Sequence, residues 1–180
     1  EELETFRKMG VYHKVPITEC LQSTGKQPIG VKWVDVNKGD WSNPEYRSRL
    51  VAKEIKRDSR DDLFAATPPL EAKKIFFSLA VTEGIGYKRD KQSGMKLDFI
   101  DVRRAYFYAK ARRDVFIKLP DEDYEEGMCG KLDLSMYGTR DAAQNWEEEY
   151  SGFLTSIGFR RGKASPCVFF HKDKSLTLVV

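Results

Sequence analysis

Cysteine is scarce in this 180-residue chain: Cys20, Cys129 and Cys167 are three in number, isolated, and form no CxxC pair. Histidine is scarcer still, with His13 and His171 far apart. This argues against a disulfide framework or a zinc site and fits a reducing compartment. Long apolar runs are also missing. None approaches the roughly 18 residues that a membrane helix needs, and the opening EELETFRKMG is charged where a signal peptide would turn apolar. The expectation is an intracellular protein with no membrane partner. Net charge is only +3, so a nucleic-acid partner cannot be argued from total charge; the distribution of charges has to carry it. No internal repeat or low-complexity segment is visible. What is there, 41% hydrophobic and 33% charged residues, describes a globular chain of one domain, or one domain with a small lobe.

Glu1 to Gly10 reads as a short polar helix stopped by Gly10, and Val11 to Val15 as a strand ended by Pro16. After a loop at Gly25–Pro28, IGVKWVDV (Ile29 to Val36) and YRSRLVAKEIK (Tyr46 to Lys56) form a hairpin around the turn signal NKGD. Period-two spacing puts Arg47, Arg49, Val51, Lys53 and Ile55 on one face of the second strand, and Tyr46, Ser48, Leu50 and Ala52 on the other. A row of cations two residues apart is either a solvated edge that discourages aggregation or a surface that grips phosphate. Pro68 and Pro69 open the clearest helix, in which Ala72, Ile75, Phe76, Leu79 and Ala80 make a core-type stripe stopped by Gly84.

The next stretch, MKLDFIDVRRAYFYAKARRDVFIKLP (Met95 to Pro120), reads as strand, turn, short helix, strand. Met95, Leu97 and Phe99 alternate with Lys96, Asp98 and Ile100, and Asp101 continues the apolar face. A half-buried carboxylate there is costly unless a cation meets it, and Arg103 and Arg104 follow at once. On the residues alone, Asp101 is first a helix N-cap at a strand–helix junction. Asp98 has the opposite parity, and Asp114 is expected to pair with Arg112, Arg113 or solvent. Val115, Ile117 and Leu119 alternate up to Pro120; DEDYEEGMCG then reads as a solvated acidic loop, and Lys131 to Leu134 as a short strand. Asp141 is an N-cap candidate for a helix whose stripe runs Ala142, Trp146, Tyr150, Phe153 or Leu154, Ile157, stopped by Gly158. Trp146 and Tyr150 suit a core better than a stacking platform. Cys167 to His171 and Leu176 to Val180 read as strands around a Lys172–Ser175 turn. Strands and helices mix without strict alternation, which implies an α+β fold: an antiparallel sheet with its helices packed on one face.

Three segments together resemble one family. DVRRAYFYAKARRDVFIKLP resembles the first catalytic motif of reverse transcriptases of copia-type retrotransposons; SMYGTRDAAQNW resembles the next block, usually close to LYGLKQxPRxW; GVKWVDVNKGD…YRSRLVAKEIK resembles the upstream hairpin. The likeness spans roughly Ile29 to Val180, with the blocks in order. It implies an N-terminal extension over residues 1–28, a fingers-like lobe over 29–94, and a partial palm over 95–180. It implies that Asp101 and the backbone carbonyl of Val102 bind Mg²⁺ in a two-metal site, that Tyr106 is an aromatic gate under the nucleotide sugar, and that Arg49 and Lys53 meet the incoming triphosphate. Arg47, Arg103 and Arg104 become nucleic-acid contacts. The implied partners are template–primer, deoxynucleoside triphosphates and the remainder of a polyprotein, in the cytoplasm or a retrotransposon particle.

Two departures stand out. Asp141 occupies the glutamine position of LYGLKQ. No YxDD-like turn follows; the single Asp-Asp pair, Asp61-Asp62, lies upstream of Asp101, so the chain reads as a fragment that ends before that motif and is inactive by itself. The alternatives are a non-catalytic nucleic-acid-binding remnant, or an RRM-like binding module, against which stands the lack of an aromatic-rich RNP-like strand.

Overall fold

Gly10 takes the left-handed conformation, φ 65° and ψ 46°, and there the first helix ends. In the computed structural model, which describes residues 1–55, 63, 65–83 and 96–180, that helix is α1 (Glu2–Met9). It is followed by β1 (Tyr12–Pro16), α2 (Ile17–Thr24), β2 (Val31–Asn37), β3 (Tyr46–Ala52) and α3 (Leu70–Glu83). Then come β4 (Phe116–Ile117), β5 (Met128–Leu132), α4 (Ala142–Ser156), β6 (Arg160–Arg161), β7 (Val168–His171) and β8 (Leu176–Val179). Short 3₁₀ turns sit at Ala105–Tyr108 and Asp121–Asp123. The class is α+β, and every ladder between these strands is antiparallel. Rather than one sheet, the described strands form three small ones: β1-β5-β4, the hairpin β2-β3, and β6-β7-β8. Among the described residues no helix is long and apolar enough to cross a membrane.

The chain divides into two compact units. The first comprises Glu1–Phe64 and Arg104–Glu149. Its core joins Phe6 of α1, Leu50 and Ala52 of β3, Phe107, Val115, Ile117, Leu132 and Met136. Phe6 meets Phe107 edge-on, ring centroids 4.8 Å apart, a favoured aromatic geometry. A smaller cluster gathers Val15, Cys20, Phe116 and Cys129; burial first, then the neighbouring Cys20 and Glu19, pushes the Cys129 thiol up to about 11. The second unit comprises Ala65–Arg103 and Tyr150–Val180. Leu154, Phe159 and Phe169 form its core, with Tyr150 edge-on to Phe169.

Several expectations need correction. Lys96 to Asp101 form no strand. The Asp98 carboxylate accepts the Phe99 amide at 2.9 Å, a local bond that competes with a ladder, and Phe99 and Ile100 are exposed. The α3 stripe is not core: Ala80 is buried, but Ile75 is 61% and Leu79 51% exposed, while Phe77, outside that stripe, stacks on Phe99. The acidic loop is not simply solvated. Asp123 accepts hydrogen bonds from Arg7 at 2.9 Å and Tyr12 at 2.6 Å, and pairs with Lys14. Burial alone would raise the Asp123 carboxyl; the Tyr12 and Arg7 hydrogen bonds outweigh it and hold it below the ordinary carboxylate value. Asp114 is exposed, as the solvent alternative expected, and pairs with neither arginine: it accepts from Ser23 Oγ at 2.6 Å and meets Lys131 at 3.5 Å. The Gly84 stop, the loop at 84–94, Met95 and the Asp61-Asp62 pair fall outside the described residues.

Candidate functional site

Core packing decides which way the hairpin cations point. Leu50 and Ala52 of β3 are buried, so Arg47, Arg49 and Val51 take the opposite face, where all three are half-buried. The register sets Arg49 opposite Val34 and Arg47 opposite Val36. Lys53 lies just past the strand. Its amide donates to Gly30 O at 2.7 Å, and its exposed side chain runs beside the bare Cα of Gly30.

The Met136–Asp141 turn lies on this end of β3. Ala52 N donates to Tyr137 O at 2.8 Å, and Glu54 N to Gly138 O at 3.4 Å. Gly138 has φ +86°, and a Cβ there would fall 2.0 Å from the Ala52 carbonyl oxygen; no other residue fits such an approach. The Tyr137 ring is thereby held beside Arg49, whose Cζ lies 5.5 Å from its centroid, within cation–π range. Tyr106 packs on the same ring at 4.6 Å, tilted by 49°, and Phe107 meets it edge-on at 5.9 Å. Burial pushes the Tyr137 hydroxyl up, opposed by the charges of Arg49 and Arg47.

A polar chain anchors the turn. Arg113 Nη2 donates to Glu54 Oε2 at 2.6 Å and to Asp141 Oδ1 at 2.8 Å. The Arg140 amide donates to the same Glu54 oxygen at 2.8 Å. Asn145 Nδ2 donates to Asp141 Oδ2 at 3.1 Å and to Ser135 Oγ at 3.0 Å. Asp141, Asn145 and Ser135 are all buried. Burial alone would raise the Asp141 carboxyl, but the bond and charge of Arg113, with Asn145, hold it below the usual carboxylate range. Asp141 does stand at the N-cap position of α4, its carbonyl accepting from Asn145 N at 2.9 Å. Its carboxylate serves Arg113 and Asn145.

Of the residues singled out in the sequence, Arg47, Arg49, Lys53, Arg104 and Tyr106 belong to the first unit, and Asp101, Val102 and Arg103 to the second. Asp101, Val102 and Arg103 are exposed, and Asp101 lies in a segment without regular secondary structure. Arg104, at φ 55°, opens the 3₁₀ turn carrying Tyr106; its Nε and Nη2 both donate to Glu2 Oε2, at 3.1 and 2.8 Å. Arg112 pairs with Glu148. Nothing in the sequence marks Tyr137, Glu54 or Glu2 as site residues. Tyr137 does lie inside the SMYGTRDAAQNW block, but its partners are distant in sequence and no periodicity links them.

The profile of one family, described as "Reverse transcriptase (RNA-dependent DNA polymerase)", matches residues 19–180. The chain belongs to the reverse transcriptase family. It is 25% identical, over 188 aligned residues, to a retrovirus-related Pol polyprotein from transposon TNT 1-94 of Nicotiana tabacum. That alignment covers 100% of this chain and 13% of the polyprotein, and it agrees with the copia-type resemblance. No solved structure matches the chain. In this reverse transcriptase chain the hairpin block and the block holding Tyr137 are in direct contact through Ala52 and Tyr137. Among its described residues, no group of three or more His, Cys, Asp or Glu side chains is gathered to hold a metal ion.

Proposed function

We propose that this chain handles the incoming nucleotide for RNA-directed DNA polymerisation, in which a primer 3′-hydroxyl attacks the α-phosphorus of a deoxynucleoside triphosphate and expels pyrophosphate. In this reading Arg49 and Lys53 meet the triphosphate, where cations stabilise charge on the leaving group. Tyr106 lies beneath the sugar and excludes a 2′-hydroxyl by bulk. Arg47 and Arg103 contact the nucleic-acid backbone; Arg104, held by Glu2, joins them only on exchanging that carboxylate for phosphate. The observation that supports this reading best is the convergence of Arg49 and Tyr106 on Tyr137, which draws a phosphate-binding type of side chain and a base- or sugar-packing type into one place.

Asp101 and the Val102 carbonyl are our proposed ligands for Mg²⁺. They do not amount to a two-ion site. Each hard cation wants near-octahedral oxygen coordination, and no Asp-Asp pair follows Asp101 in the sequence. The expected outcome is nucleotide and template–primer binding without primer extension. Fluorescence anisotropy on a labelled RNA–DNA primer–template should show affinity falling as salt rises, with a shallower slope for Arg47→Ala. Extension by this chain, abolished by Asp101→Asn, would overturn the account of the metal ligands. Salt-independent binding, or none, would overturn the nucleic-acid reading.

A further inference from the structure

Arg49 and Tyr106 are proposed for different parts of one nucleotide, yet both rest on the same ring. We infer that Tyr137 is a positioning residue that couples grip on the triphosphate to discrimination at the sugar; this rests on the nucleotide-binding reading above. An arginine in open solvent samples many rotamers, and a guanidinium seated by an aromatic ring samples far fewer. Arg49, 5.5 Å from the Tyr137 centroid, is ordered in this way. Tyr106 packs on the same ring at 4.6 Å, so the outline it offers to a sugar depends on where Tyr137 stands.

Tyr137 is itself held by backbone rather than by the two side chains it orients. Its carbonyl accepts the Ala52 amide at 2.8 Å, and the Gly138 carbonyl accepts the Glu54 amide. Glu54 in turn accepts the Arg140 amide and the Arg113 guanidinium. Arg49 and Ala52 are both on β3, so the ring is referenced to the strand whose cation it orders. Tyr137 is only partly buried, and the charges of Arg47 and Arg49 both reach its hydroxyl. This is a ring between the core and a cationic surface, not one enclosed by apolar neighbours. Removing Arg49 should weaken phosphate binding alone, and removing Tyr106 should blunt sugar discrimination alone. Removing the Tyr137 ring should do both.

The test is calorimetric titration of the chain with dATP, ATP and inorganic pyrophosphate, for wild type, Tyr137→Phe, Tyr137→Leu and Tyr137→Trp, each checked for folding by circular dichroism. Tyr137→Leu should weaken pyrophosphate binding by about three- to tenfold and bring the dATP-to-ATP affinity ratio toward one. Tyr137→Phe keeps the ring and should match wild type in both. Tyr137→Trp keeps an aromatic face for Arg49 but crowds Tyr106; it should hold pyrophosphate affinity while lowering the ratio, and it decides the matter if the leucine variant does not fold. A folded Tyr137→Leu chain unchanged in either quantity overturns the coupling, as does an unchanged ratio in Tyr137→Trp. Wild type that binds none of the three ligands overturns the nucleotide reading itself, and the coupling with it.

Discussion

Replacing Arg113 by methionine tests whether the Met136–Asp141 turn is held by charge. The wild-type guanidinium serves Glu54 at 2.6 Å and Asp141 at 2.8 Å, and their side chains are only 16% and 8% exposed. Without it two poorly hydrated carboxylates face each other with no cation. Breaking such a buried pair costs about 3–5 kcal/mol. Against this, Arg113 Nε is buried without a hydrogen-bond partner, so methionine relieves about 1 kcal/mol of unmet desolvation. The net loss is therefore about 2–4 kcal/mol, a fall of roughly 4–16 °C in Tm for a chain of this size. The pH dependence separates this cause from simple loss of packing. In wild type the Asp141 carboxyl is held below its ordinary value, so its stabilisation is complete above the unfolded carboxylate range and is lost as pH falls through the depressed folded value. In Arg113→Met burial, which raises the carboxyl, is opposed only by the Asn145 side chain and a backbone hydrogen bond, so the folded variant takes up a proton more readily than the folded wild type. The gap between the two proteins should narrow as pH falls from neutrality to about 5. The assay is thermal and urea unfolding by circular dichroism across that range. A Tm unchanged within error, or a gap that does not vary with pH, refutes the reasoning. Asp141→Asn leaves Arg113 its bond to Glu54 and should lose less, about 1–2 kcal/mol.

Gly138→Ala should destabilise by more than about 2 kcal/mol, because φ is +86° and the new Cβ would lie 2.0 Å from Ala52 O; urea unfolding checks it, and a neutral substitution would mean that the turn is not pressed against β3. Asp123→Asn removes the charge shared by Arg7, Tyr12 and Lys14 and should lose about 1–2 kcal/mol at neutral pH. Because the wild-type carboxyl is held low, its contribution is present above the ordinary carboxylate range and disappears as pH falls through the folded value, so urea curves of the two proteins should converge in acid.

The elements legible in the sequence are those whose signal is local. α1 ends at Gly10, the β2–β3 hairpin follows the alternation around NKGD, and α4 begins after Asp141 as its stripe requires. α2 has a local signal too, in the Ile17, Cys20 and Leu21 spacing and the stop at Gly25, but Pro16 serves both as the end of β1 and as the N-cap of α2, and the strand-ending role masks the helix start. The run from Lys96 to Asp101 shows the opposite failure. Alternation states which face a strand would bury, not whether a partner strand exists, and the bond from Phe99 N to Asp98 gives the backbone a local alternative. The candidate site divides in the same way. Parity on β3 gave the common face of Arg47 and Arg49, but not Tyr137, which comes from 88 positions downstream of Arg49 and is placed by long-range backbone bonds. Glu54, Arg113 and Asp141 form a network across 28 and 59 positions; no window of ordinary length contains it.

The stretch by which the family is recognised begins at residue 19, but the folded object begins earlier. Phe6 and Val11 belong to the main core of the first unit, and β1 pairs along β5 from Tyr12 opposite Leu132 to Pro16 opposite Met128. A gene trimmed to the recognised stretch would cut through a sheet instead of between modules. With β1 gone, β5 would become an edge, carrying the otherwise buried Cys129 and Leu132 beside unpaired amides and carbonyls, the kind of edge that recruits strands from other molecules. The trimmed protein should collect in inclusion bodies while the 180-residue chain stays in solution, and recombinants exchanged at residue 19 should inherit the same fault, however well their polymerase blocks match.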